Sequence, residues 1–161
     1  MKLTQQIAKH FRDLMFGGNW TYSNVKDNLA DVTWQQATTK VYDFNTIATL
    51  VFHMSYFVAA ALQVLQGKPL DAHDKFSFDH PPINSKEDWE QFLNKVWLDA
   101  ENFANAIEQL PDNVLSENFA DEKYGNVYRN IHGIIEHSHY HLGQIVIIKK
   151  LLLRVQSDME Q

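Results

Sequence analysis

Residues 136–144, EHSHYHLGQ, hold three of the chain's eight histidines within five positions. At neutral pH an imidazole can bind a metal, exchange a proton or hydrogen-bond inside a core, and spacing helps to separate these roles. At about 100° per residue, a helix through this stretch puts His137 and His141 on one face with Ile134, Ile145, Ile148, Leu152 and Val155. His132 and His139 fall on roughly the opposite side, with Tyr128 and Leu153. A pair at i and i+4 can share one ion, and two imidazoles side by side in an apolar stripe are otherwise costly to desolvate. His137 and His141 therefore read as part of a metal site. One rival is a pair of neutral core histidines hydrogen-bonded to a neighbouring helix. Another is a pH sensor that loses packing between about pH 5 and 7 without any metal.

Catalytic metal sites commonly use three protein ligands and leave a position open for water or substrate. The chain has no cysteine, so its ligands must be imidazole or carboxylate. Two candidates for the third ligand stand open on spacing alone: His53, beside Leu50 and Phe57, and His10, beside Leu14. His73 and His80, in a proline-containing loop, are weaker rivals. Glu136-x-x-His139 has the spacing of ferritin-like di-iron bundles, but the second such motif and the further inward glutamates are missing. Ser138 stands where a zincin helix needs glutamate. Gln144 and Asn130 lie near the same face as the pair and could fix imidazole tautomers, with Tyr140 at its edge. No catalytic acid or base is assigned. Imidazole suits zinc, nickel, iron or copper; zinc or nickel is the first expectation.

The elements that must position these side chains are all helical. The first helix is predicted over Leu3 to Met15, with Leu3, Ile7, Phe11 and Leu14 on one face and Gly17-Gly18 as its stop. Residues 19–44 form a long connection in which Ser23 and Thr33 each cap a short helical piece. The second helix runs from Asn45 or Thr46 to Gly67, and the paired prolines of DKFSFDHPPINS make the following stretch a loop. Ser85 opens the third helix with a relaxed capping box to Asp88, and Pro111 with Asn113 ends it. The fourth runs from Asn126 to Val155. Four amphipathic helices without a convincing strand predict an all-α four-helix bundle, one domain over residues 1–161. The long link between the second and third helices allows an up-down-down-up order as readily as up-down-up-down.

Fourteen basic against twenty acidic residues give a net charge of −6, which argues against a nucleic-acid partner held by phosphate contacts. The absence of cysteine and of a signal-peptide pattern in MKLTQQIAKHFRDLMFGG points to the cytoplasm. No charged residue lies between Phe44 and Gly67, a length that can cross a bilayer. A polar line of Asn45, Thr49, Tyr56 and Gln63 instead reads it as a core helix, with no membrane partner. Leu142, Val146 and Leu153 form a further apolar strip on the fourth helix that predicts a homodimer.

Three stretches, HGIIEHSHYHLGQIV from 132, TIATLVFHMSYFVAAALQVLQG from 46 and YGNVYRN from 124, resemble the DinB-like family of damage-inducible-type four-helix bundles described as metal-dependent hydrolases. FGGNWTYSNVKDNLADV and EDWEQFLNKVW extend the likeness to nearly the whole chain. In that family one histidine of the second helix and a His-x-x-x-His pair of the last, followed by Gly-Gln, bind a divalent metal. The resemblance thus implies His53, His137 and His141 as ligands, with Gly143-Gln144 following, and the up-down-down-up order. It implies a metal-dependent transferase or hydrolase acting on a small molecule, through a water or thiol at the open position of the metal. Low-molecular-weight thiols such as bacillithiol or mycothiol serve some members. The alternative expectation is a non-enzymatic helical bundle that binds a metal or ligand.

Overall fold

Each long helix starts where a flanking group takes up an amide that the helix itself leaves unpaired. The computed structural model describes residues 1–159, with side chains through Arg154. Among the described residues the chain is mostly helical and has no strand, with six α-helices, four of them long: α1 Leu3–Phe16, α2 Val25–Leu29, α3 Trp34–Thr38, α4 Ile47–Leu65, α5 Lys86–Gln109 and α6 Val127–Met159. Thr46 Oγ1 accepts from the Thr49 amide at 3.1 Å and sets the start of α4. Ser85 Oγ accepts from the Asp88 amide at 3.0 Å, while Asp88 reaches back to accept from the Asn84 amide at 2.9 Å. Asn24, not Ser23, caps α2, accepting from the Asp27 amide at 2.9 Å. Thr33 caps α3 as expected.

The end of α4 fixes where the next segment departs. Gly67, at φ +82, donates to Val64 O at 2.9 Å, and Lys68 donates to Gln63 O at 2.9 Å. This paired closure needs a left-handed residue at its turn, which glycine adopts without a Cβ clash. The chain then folds back over α4 through residues 66–85, with one 3₁₀ turn at Asp74–Phe76.

α1 and α5 run antiparallel. Thr4 donates its amide and hydroxyl to Asp112 (3.1 and 3.0 Å) at one end, and Phe16 meets Trp97 (6.0 Å between rings) at the other. Between them Phe11 and Phe103, both fully buried, pack edge to face at 5.0 Å. Those rings carry the seam; the Arg12 ion pairs to Glu101 and Glu108 are partly exposed and contribute at most about 1 kcal/mol each. α4 runs parallel to α5, with Phe52 facing Phe92 and Gln63 sharing a groove with Asp99. α6 returns antiparallel to α4: Phe57 meets His137, and Leu50 lies by Ile148. One continuous core joins all four.

Half of the 18-residue window that makes α4 long and apolar enough to cross a membrane is buried within the protein. The apolar stripe of α6 is rotated from the expected one by about 50°. Val127, Ile131, Ile135, Ser138, Leu142, Ile145, Ile148 and Leu152 are buried, while Ile134 and His137 sit at the flank. The side chain of Val155 lies outside the described residues. The rotation also breaks the expected dimer strip, because Leu142 is in the core, Val146 packs against it and only Leu153 is exposed. Leu3, expected on the core face of α1, is exposed, and Thr4 and Ala8 are buried instead.

Candidate metal centre

Turning α6 so that Ser138 and Leu142 face the core swings His137 and His141 toward α4, where His53 comes to meet them. His137 Nε2 lies 3.0 Å from His53 Nε2 and 2.9 Å from His141 Nε2. The three are the one group of His, Cys, Asp or Glu among the described residues whose ligand atoms lie close enough to hold a metal ion, all within 4.8 Å. His53 and His141 are buried and His137 is half-buried.

The outer nitrogens show what the inner ones can offer. His53 Nδ1 lies 2.8 Å from Ser77 Oγ, and the Ser77 hydroxyl donates to Asp74 O at 2.7 Å. His141 Nδ1 lies 2.6 Å from Gln144 Oε1, which can only accept, while Gln144 Nε2 donates to Tyr140 Oη at 3.4 Å. These partners favour the tautomer with the hydrogen on Nδ1 in both rings, which aims a bare Nε2 lone pair inward. His137 Nε2 carries at most one hydrogen, so one of these two lone pairs has no donor. A cation answers that deficit, and nitrogens that share a zinc-like ion at about 2.0–2.1 Å stand about 3 Å apart. The residues fit a divalent metal.

Electrostatics keep the rings neutral, as ligands must be. Burial, then the charges of His141 and His53, push His137 down to about 4 against the opposing pull of Asp74. Burial lowers His53, with His141 adding and both Asp74 and a hydrogen bond to the Ser77 backbone opposing. Burial also lowers His141, with Gln144 opposing. Phe57 approaches His53 and His137 edge-on at 5.2 and 5.5 Å, and Phe78 stacks on His53 at 4.1 Å. His137 and Phe57 line an open groove of about 820 Å³ with Tyr128, Arg129, Gly133 and Glu136.

The other five histidines are not brought to this centre. His10 is exposed, its ring 6.1 Å from that of His139. His73 pairs with Asp71 at the surface, and His80 Nδ1 meets Pro81 O at 2.8 Å. His132 packs on Tyr128. Of the proposed tautomer-fixing residues Gln144 reaches a ligand, but Asn130 does not: its amide donates to Tyr124 O and Asn126 O, both at 2.9 Å, and so closes the start of α6. Tyr140 is largely exposed beside His141. Sequence reasoning missed Ser77 and Phe78. The one available signal was Phe76-Ser77-Phe78, apolar bulk in an otherwise polar stretch that must rest on something.

No family model, curated protein or solved structure matches the chain. The resemblance stated above therefore rests on the motifs alone.

Proposed function

We propose that the protein is a metal-dependent enzyme of the DinB-like family, a transferase or hydrolase acting on a small molecule, with His53, His137 and His141 holding the metal. The observation that carries this is the convergence of the three Nε2 atoms, with a lone pair lacking a donor. A divalent cation there lowers the pKa of a water or thiol that reaches its open position. The chain's own part is to hold two imidazoles in the ligating tautomer through Ser77 and Gln144, and to pack Phe57 and Phe78 against the ligand rings. His137, on the groove wall, places the centre within reach of a small molecule. Three ligands and a groove favour catalysis over a structural ion, which takes four. Zinc or nickel suits three imidazoles, with iron or copper after them. The family resemblance extends the substrate class to low-molecular-weight thiols.

The same proposal reads the chain as one four-helix-bundle domain in up-down-down-up order, supported by the antiparallel α1/α5 and α4/α6 pairs and the parallel α4/α5 pair. A cytoplasmic location belongs to this reading; because the strip that suggested a homodimer is largely taken up by the core, a monomeric mass by light scattering is expected.

The test is metal analysis of protein purified without an affinity tag, beside His53→Ala and His137→Ala. The expected result is about one equivalent of metal in the parent and none in either variant. Equal metal in all three overturns the ligand assignment.

A further inference from the structure

His53 and His141 obtain their Nδ1 partners in different ways. Gln144 is three residues from His141 on the same helix, so α6 supplies that contact wherever it is formed. Ser77 is 24 residues from His53, in the segment that leaves α4 and folds back over it. That partnership exists only when the segment is docked. Several contacts dock it: the His73 amide donates to Tyr56 Oη at 2.9 Å, Phe78 stacks on the His53 ring, His80 meets Phe52 edge-on, Leu70 packs against the core and Ile83 is buried.

Ser77 itself has no exposed surface. Its amide and its hydroxyl both donate to Asp74 O, at 2.9 and 2.7 Å. With the hydrogen spent there, the oxygen faces His53 Nδ1 as an acceptor. Giving that hydrogen to Nδ1 instead would leave two oxygens 2.7 Å apart with none between them. The same facts exclude Ser77 as a nucleophile, since it is out of reach and its proton points away from the imidazole.

Resting on the metal reading above, we propose that Ser77 is a positioning residue through which the docked segment 66–85 controls metal capture. It holds the His53 hydrogen on Nδ1, and so keeps the Nε2 lone pair available to the ion. Without the hydroxyl the His53 ring keeps only the backbone of Ser77 to hold that tautomer, and a ring protonated at Nε2 presents a hydrogen where the cation must bind. Coupling of this kind is reciprocal, so metal binding in turn holds the segment down.

The experiment combines two readouts on the full chain. Nitrogen-15 spectra of the imidazoles in metal-free protein are expected to show His53 protonated at Nδ1 in the parent, and shifted toward Nε2–H in Ser77→Ala. Zinc affinity, measured by competition with a chelator, is expected to fall about 10- to 100-fold in Ser77→Ala and to recover in Ser77→Thr. A folded Ser77→Ala with parental affinity and parental tautomer overturns the proposal. If that variant does not fold, Nε2–H at His53 in the parent overturns it, and Nδ1–H there supports it. A parent that binds no zinc, yet loses its Nδ1–H preference in Ser77→Ala, removes the metal reading while the Ser77–His53 link stands.

Discussion

Helix α6 carries histidines on two sides, and the two sides meet different neighbours. Toward α4, His53 and His141 each bring a nitrogen to about 3 Å from His137 Nε2, and two of the three rings have a fixed outer partner. Toward α1, His139 faces His10 at 6.1 Å between rings, with His132 near enough to feel the charge of His10. Imidazole is equally plentiful on both sides. What differs is the shell behind it: the first group has acceptors at Nδ1 that turn the lone pairs inward, while no such acceptor holds His10, His132 or His139 among the described residues. Outer hydrogen bonds, more than the number of histidines, make a ligand set.

The sharpest way to break this contrast is to delete one histidine from each side. His141→Ala is expected to weaken zinc binding by at least about 100-fold, and His139→Ala to leave it within about twofold, both by isothermal titration. Equal losses would erase the distinction. Next in size is ligand-linked stability. Zinc at about 1,000 times its dissociation constant should stabilise the parent by about 4 kcal/mol, seen as a higher Tm that a chelator reverses. His53→Ala should show no such rise.

Acid should act in a defined direction. The folded His137 sits at about 4, below its ordinary 6.5, so the unfolded chain takes up the proton first. The stability linked to the neutral ring is then complete above about pH 6.5 and drains as pH falls toward 4. Burial lowers His132 and His139 as well, so wild-type protein alone cannot separate the two sides. Urea midpoints of the metal-free protein between pH 7.5 and 4 should fall less steeply for His137→Gln than for the parent. An unchanged slope would assign the acid response to the α1 side. The smallest effect concerns the core between the two sides, where Ser138 is buried with no hydrogen-bond partner for its Oγ. Ser138→Ala removes that cost, and a gain of about 1 kcal/mol in urea denaturation is expected.

Helix ends were legible because Thr46, Gly67 and Ser85 act through contacts a few residues away. The pair His137 and His141 was legible for the same reason, since one helical turn joins them. The azimuth of α6 was not. Ile131, Ile135 and Leu142 compete with Ile134 and His137 for the inward face, and a buried Ser138 disguises which set wins. Periodicity left His53 and His10 equal because each flanks an apolar stripe; helix packing separates them, and the family motif anticipated the outcome. Ser77 and Phe78 had no periodic signature, and their role depends on how a turn-rich segment returns to the helix before it.

Gly133 puts bare backbone on the wall of the groove one turn before His137, with no heavy atom within 4 Å of where a Cβ would stand. A Cβ introduced there would meet no protein atom in contact range, on a stretch of backbone that lines the groove. On the enzymatic reading proposed above, alanine, valine and leucine at this position would form a graded series of obstructions, with bulkier small molecules turned away first.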